Sequence, residues 1–351
     1  MNAPTVVFAW RRTPPPLLIG GAEVSQQLLA EEFARAGWNV VYLGSHEAPW
    51  DSSPRIGHLR AHLLAHGVGW EEQGGEIRYS WNGVACAALP QDRIEKEFAR
   101  LLSDLAPELV ITSQEGSSDL AATARARTTV AGWLHSVSST GLGVLAGSPH
   151  HALATSRFVA SRARPAPRTK VTVFYPPYSP ATMGEELPRL ARDGLLMVNP
   201  IPAKGSCLLH QLVERLPQQQ FTLVEGWWDT AREFTGYPNV TYVPRTYTMG
   251  PLYAAHQLLL VPSQVEDAFP RVIAEAGLHG VPALGSDRGG IPEAIGPGGI
   301  VLPPDDTDAW VAAINTDGHE QLGAAARTTA LPLTRPCLPE LAAAGVIPPL
   351  R

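Results

Sequence analysis

Short apolar runs that alternate with helix-patterned segments govern what this chain can fold into. TVVFAW (5–10), WNVVYL (38–43), LVIT (109–112), TTVAGWLH (128–135), ALATS (152–156) and VTVFYP (171–176) are near-continuous hydrophobic runs. That is the pattern of strands buried on both faces. Between them a helix is expected over about 22–36, where Ala22, Leu29, Phe33 and Ala36 share a face and Gly37 supplies the stop. Further helices are expected over 91–105 and 117–127, whereas 68–89 reads as short antiparallel strands around Gly74-Gly75 and Asn82-Gly83. Residues 177–194 are proline-rich and polar and read as a linker. The alternation then resumes with LLMVNP (195–200), a helix over 204–216, FTLVEG (221–226), VTYVP (240–244), a helix over 249–256 and QLLLVPS (257–263).

Two such blocks imply an α/β architecture of two doubly wound parallel sheets, with domains at 1–180 and 181–330. A proline-broken tail, 331–351, carries a short helical pattern at 339–345 and could pack back on the first domain. Ligands of such sheets bind beyond the carboxyl ends of the strands, which places the expected site in a cleft between the domains.

Composition narrows the class. With 44% hydrophobic and 17% charged residues the chain reads as soluble and globular, and a net charge of −6 argues against a nucleic-acid partner. The three cysteines (Cys86, Cys207, Cys337) are odd in number and form no CxxC, so neither a disulfide framework nor a zinc site is expected. The N-terminus lacks the order of a signal peptide and no run of about 18 apolar residues occurs, so a cytoplasmic location without a membrane span is expected. No G-x-G-x-x-G follows the first strand, and neither G-x-S-x-G nor H-E-x-x-H is present.

The chemistry concentrates in PSQVEDAFPRVIAEAGLHGVPALGSDRGGIPEAIGPGGIVLPP (262–304). Asp267, Arg271 and Glu275 are spaced by four, so on one helix they share a face about 12 Å long. Taken alone, Asp267 reads equally as a helix N-cap, with Arg271 and Glu275 as a surface i, i+4 pair. A helix N-terminus at the end of a parallel strand offers free amides to phosphate, and a second one is expected after Gly289-Gly290.

The block resembles the signature of glycosyltransferase family 4, retaining enzymes with the two-Rossmann GT-B fold. The matching positions are Pro262-Ser263, Asp267-Ala268-Phe269-Pro270, Glu275, Gly280-Val281-Pro282 and Gly289-Gly290-Ile291-Pro292-Glu293. Two positions depart from the family pattern. Asp267 replaces a glutamate, with Glu266 beside it as a possible substitute, and Pro270 replaces a glycine whose amide would face the donor. The resemblance implies that Asp267 holds donor-sugar hydroxyls and Glu275 the nucleotide ribose. It further implies that amides near Phe269 and Arg271 contact the sugar or the diphosphate.

Lys204, in NPIPAKGS, matches a family lysine that meets the donor diphosphate. A cation at a helix N-terminus opposes the dipole unless an anion is present, although a solvated surface lysine reads the same way. Asn199 stands where the family often has an arginine, so Arg245 or Arg271 is the candidate for the missing charge. Gly20-Gly21 matches the loop that approaches the donor. His135 matches a histidine that touches the donor sugar, and a strand-end histidine is otherwise a buried or capping residue. Asp306-Thr307-Asp308 reads as a helix cap rather than a metal site, His150 and His151 read as structural, and no metal or other cofactor is expected.

The resemblance therefore implies a retaining glycosyltransferase moving a sugar from a nucleotide-diphosphate donor, UDP- or GDP-linked, to an acceptor hydroxyl. Lys204, an arginine and helix-end amides would stabilise the leaving group, with domain closure excluding water. The alternatives are another GT-B chemistry, an epimerase or a phosphorylase, or a non-catalytic nucleotide-sugar binder. Trp50, Trp70, Tyr79 and Trp81 are aromatic candidates for acceptor contact. A small molecule or saccharide is the expected acceptor, because no basic amphipathic run of the membrane-docking kind is evident.

Overall fold

The structure, a computed structural model, describes residues 3–17, 20–48, 55–179, 192–226 and 231–349. Most of the expected linker, 180–191, and Trp50 lie outside these residues. The chain divides into two compact units, Met1–Pro177 with Pro336–Arg351, and Tyr178–Arg335.

The first unit is built on a nine-stranded sheet. Its strands are β1 (Thr5–Ala9), β2 (Asn39–Ser45), β3 (Trp70–Gln73), β4 (Glu76–Trp81), β5 (Val84–Leu89), β6 (Leu109–Thr112), β7 (Thr129–Leu134), β8 (His151–Ala154) and β9 (Lys170–Val173). Their order is β3-β4-β5-β2-β1-β6-β7-β8-β9. All pairs are parallel except β3–β4 and β4–β5, the hairpins expected around Gly74-Gly75 and Asn82-Gly83. Asn82 (φ +47°) and Gly83 (φ +82°) both take the left-handed conformation that a tight two-residue hairpin demands. The strand order reverses between β1 and β6, which makes that junction the switch point of this sheet. Residues 336–349 return to this unit through the helix Leu338–Ala344. The Leu338 N–H donates to Glu32 Oε1 (2.8 Å), and Lys170 Nζ donates to the Ala344 carbonyl (2.6 Å).

The second unit carries six parallel strands, β10 (Leu195–Val198), β11 (Phe221–Val224), β12 (Val240–Val243), β13 (Leu258–Val261), β14 (Ala283–Ser286) and β15 (Gly299–Leu302). Their order is β12-β11-β10-β13-β14-β15, with the reversal between β10 and β13. Pleating sends alternate residues to opposite faces. Leu195, Met197, Leu258 and Leu260 join Leu208, Leu209, Leu212 and Trp310 in one core, and Leu196, Leu259 and Val261 join Tyr253, Ile273 and Ile291 in the other. Both faces are thus buried, and the near-continuous apolar runs follow from that.

His256, between the helix Gly250–Ala255 and β13, is buried within this unit. Its ring nitrogens meet the Leu252 carbonyl (2.6 Å) and Thr222 Oγ1 (2.7 Å). Burial holds its pKa below the ordinary 6.5, outweighing the Leu252 carbonyl and Asp193, which act in the opposite sense. The unfolded chain therefore binds more protons over this range. The stabilising contribution is complete above 6.5 and is lost as pH falls through the lower folded value. His256→Gln is expected to flatten the fall in melting temperature between about pH 7.5 and about pH 5.5. A thermal-denaturation series on the two proteins checks this, and parallel curves would contradict it.

Candidate active site

In the second unit the motif residues gather at the carboxyl ends of the strands, around the reversal between β10 and β13. The loop after β10 begins at Asn199, whose φ of +60° lies in the left-handed region that asparagine tolerates. It continues through a single tight turn, Pro202–Lys204, into Gly205 and the helix Ser206–Arg215. Gly205 has φ +96°, and a Cβ there would collide with the Pro262 carbonyl oxygen. The chain after β13 crosses directly against it. Ser263 is fully buried at this crossing, and its Oγ lies within hydrogen-bonding distance of the Ala203 carbonyl (3.4 Å). Its carbonyl accepts from Ser286 Oγ (2.7 Å) at the end of β14, so the Pro-Ser pair ties three strand ends together.

This packing brings Lys204 Nζ and Asp267 Oδ1 into an ion pair, both side chains being partly exposed. The other carboxylate oxygen, Asp267 Oδ2, is buried without a hydrogen-bond partner. Asn199 Oδ1 is buried and unpartnered too, lodged against Gly226, where any side chain would strike it. An unpartnered buried acceptor costs free energy until a donor reaches it. Two such oxygens on the strand-end side of this sheet therefore mark a place for hydroxyl or amide donors.

The shared-face geometry of Asp267 and Glu275 is corrected by the structure. The helix runs only from Arg271 to Leu278, with Pro270 as its N-cap, and Asp267 lies in the loop before it. Pro270 has φ −64° and ψ +113°, an extended conformation that ends the loop rather than opening a helix. The Asp267–Ala268 backbone is instead clasped by the glycine pair. The Gly290 N–H donates to the Asp267 carbonyl (2.6 Å), and a Cβ at Gly290 would come within 2.8 Å of the Ala268 carbonyl carbon. That amide is therefore engaged, contrary to the expectation that this terminus offers it to phosphate. The helix it opens, Ile291–Ile295, has only five residues.

Arg271 and Glu275 do pair at i, i+4, yet not on the surface. Arg271 is 8% exposed and donates from Nε to Glu275 Oε1 (3.2 Å). Its guanidinium lies over the Tyr178 ring (4.1 Å to the centroid). Glu275 Oε2 accepts from the hydroxyl of fully buried Tyr253 (3.0 Å). Tyr253 and Tyr178 were not legible as site neighbours, since each reads as an ordinary core aromatic. Arg245 is exposed after β12, with Nε donating to the Gly226 carbonyl (3.0 Å) and Nη2 at 3.6 Å from Glu225. Glu266 is exposed beside Asp267, and Phe269 packs partly buried against the core.

The remaining candidates belong to the first unit. Gly20 caps the helix Gly21–Arg35 in an extended conformation, and Gly21 is exposed at its start. Near them Arg12 is held by Glu23 (2.8 Å) and by a bidentate pair to Glu115 (2.9 Å on both bonds). Those carboxylates raise the Arg12 pKa against the opposing effect of its burial. His135 follows β7, half-buried, its ring 4.5 Å from that of Trp133. Of the aromatic candidates, Tyr79 is buried with its hydroxyl on the Pro15 carbonyl, and Trp81 Nε1 donates to Glu31 (2.9 Å). Trp70 is half-buried in β3.

Asp306 caps the helix Thr307–Ile314, its Oδ1 accepting from the Ala309 N–H (3.0 Å), and Asp308 pairs with Arg215 (2.6 Å), as a capping role requires. A stretch of basic residues lies at 157–170. Arg157, Arg162, Arg164, Arg168 and Lys170 are all exposed there, and the stretch contains no carboxylate. Among the described residues no helix is long and apolar enough to cross a membrane.

Residues 192–316 match the family model described as "Glycosyl transferases group 1". This match supports a glycosyltransferase. The match spans the six-stranded sheet and every candidate from Asn199 to Glu275. A search of curated protein sequences found no match. Among solved structures, sucrose-phosphate synthase (tll1590) from Thermosynechococcus elongatus is similar at 20% identity, with 95% of each chain covered and a TM-score of 0.68. Anabaena Alr3699/HepE in complex with UDP-glucose is similar at 18% identity, with 95% of each chain covered and a TM-score of 0.67. WaaG, a glycosyltransferase involved in lipopolysaccharide biosynthesis, is similar at 14% identity over 98% of this chain and 100% of its own, with a TM-score of 0.67. At these identities the likeness establishes the GT-B fold, with its two parallel-sheet domains.

Proposed function

We propose that this protein is a retaining glycosyltransferase of family 4 that moves a sugar from a nucleotide-diphosphate donor to the hydroxyl of a soluble small molecule or saccharide. The observation that carries the reading is the convergence of Lys204 and Asp267 at the β10/β13 reversal, with Asp267 Oδ2 buried and unpartnered. Lys204 supplies the cation for the departing diphosphate, and Asp267 accepts donor-sugar hydroxyls. Glu275, at the far end of the same loop and helix, takes the ribose. In this chemistry the acceptor oxygen bonds to the anomeric carbon on the face from which the diphosphate departs, and the leaving phosphate takes the acceptor's proton, so no protein nucleophile is assigned.

The structures of the similar Anabaena protein hold UDP and UDP-glucose, which supports a nucleotide-sugar donor. A donor requirement of this kind fits work in the cytoplasm.

A second reading, a non-catalytic nucleotide-sugar binder, is favoured by one specific set of observations. Lys204 is neutralised by Asp267, Asn199 brings no charge and Pro270 brings no N–H. Thermal denaturation with UDP, UDP-glucose, GDP and GDP-mannose separates the readings when paired with a transfer assay. The donor is expected to raise the melting temperature, as about 2.7 kcal/mol of stabilisation follows at a hundredfold excess over Kd. Stabilisation with sugar transferred to an acceptor supports the enzyme, and stabilisation without transfer across a broad acceptor panel supports the binder. No stabilisation by any nucleotide removes both.

A further inference from the structure

The Glu275 carboxylate is held from both sides before any ligand arrives. Tyr253 donates its hydroxyl to Oε2 (3.0 Å) and Arg271 donates Nε to Oε1 (3.2 Å). A glutamate's terminal torsion is otherwise broad, so an unanchored carboxylate would sample many orientations. Here each oxygen has one bond to a rigid partner and one remaining lone pair, the arrangement that two adjacent hydroxyls can satisfy together.

The anchors are themselves fixed. Tyr253 is completely buried within the core, and its ring lies 5.8 Å from that of His279. Arg271 is 8% exposed and stacked on Tyr178 (4.1 Å). Tyr178 packs with Ala274, Leu278 and Ala330, and its backbone N–H donates to the Leu333 carbonyl (3.2 Å). Burial, with Glu275 beside it, pushes the Tyr253 phenol well above its ordinary pKa, so it stays a neutral O–H donor. Arg271 also offsets the Glu275 charge, which would otherwise repel a nucleotide's phosphates.

We propose that Tyr253 and Arg271 are positioning residues that orient the Glu275 carboxylate to accept both hydroxyls of a nucleotide ribose, which makes this site selective for ribonucleotides over 2′-deoxyribonucleotides. The proposal rests on the reading of the second unit as a nucleotide-sugar site. It assigns to Arg271 a role other than contact with the diphosphate, because the guanidinium is already committed to Glu275 and Tyr178.

The test is calorimetric binding of UDP, GDP and their 2′-deoxy analogues to the full chain and to Tyr253→Phe, Arg271→Met and Glu275→Gln, with melting temperatures as a check on folding. The wild type is expected to prefer the matching ribonucleotide by about tenfold or more, the scale of one hydrogen bond to a charged group. In Tyr253→Phe and Arg271→Met that ratio is expected to fall several-fold toward one, with 2′-deoxynucleotide binding changed less. Adding Tyr253→Phe to Glu275→Gln is expected to cause no further loss of discrimination, the signature of two residues acting through one group. A variant that weakens both nucleotides equally shows a merely structural role and overturns the proposal. So does a wild type that binds both sugars alike. Tyr253→Phe keeps the ring in its core position, so the outcome stands even where Arg271→Met unfolds. A wild type that binds neither UDP nor GDP overturns the nucleotide-sugar reading itself, a result distinct from binding without discrimination.

Discussion

Lys204→Ala is expected to lower turnover by about 10²- to 10³-fold, the usual cost of removing one preorganised group that stabilises developing charge. The melting temperature should hardly move, because the Lys204–Asp267 pair is partly exposed, at 31% and 18%, and pairs of that kind contribute little to stability. The prediction is sharp because the other candidate cations are already engaged. Arg271 is committed to Glu275 and Tyr178, Arg245 is bonded to Gly226 beside Glu225, and Asn199 is neutral. The same geometry gives Asp267→Asn a split signature. Freed from its carboxylate, Lys204 should bind a free nucleoside diphosphate more tightly, while transfer falls because the sugar loses a charged acceptor and one of its two accepting oxygens. Steady-state kinetics together with UDP titration separate the two effects. Turnover within about twofold of wild type in Lys204→Ala would remove this residue from the mechanism.

What the sequence could and could not convey follows from the range over which each feature is determined. The strands were legible because burial on both faces writes itself as a short apolar run such as LLMV or LLLV, a local signal. The hairpins were legible at Gly74-Gly75 and Asn82-Gly83 because left-handed turns narrow the residue choice. Lys204 was singled out through the resemblance, as a lysine before glycine at a helix start.

The loop 262–270 was not legible. Its spacing suits a helix, but Pro270 disfavours helical backbone at the residue before it, and the distant Gly289-Gly290 turn holds the Asp267–Ala268 backbone. Residue spacing alone therefore put Asp267 on the helix of Arg271, when only Arg271 and Glu275 lie on it. The buried state of that pair was equally hidden, for it depends on Tyr178 and Tyr253 arriving from other segments. Motif order conveyed which residues gather at the strand ends of the second sheet; contacts from outside the motif decide what each can do there.

Gly205→Ala is expected to damage fold and site together, which Lys204→Ala should not. Glycine 205 holds φ at +96°, where an L side chain is strained, and its Cβ would lie 2.8 Å from the Pro262 carbonyl carbon. The obstacle is backbone at the end of β13, so no side chain can swing aside. Either the 199–205 loop or the Pro262–Ser263 crossing must shift, and Ser263 links that crossing to Ala203 and Ser286. Strain combined with overpacking of this kind costs about 3 kcal/mol or more, or roughly 6–12 °C in melting temperature for a unit of this size. Lys204 precedes the glycine directly, so its ammonium should be displaced from Asp267, and activity should fall in whatever fraction remains folded. Gly236 provides the control, because it is exposed and a Cβ there meets nothing within 4 Å. Gly236→Ala is expected to stay within about 0.5 kcal/mol of wild type. Equal melting temperatures for the two alanine variants would mean that the close crossing of the β10 and β13 loops does not constrain this site.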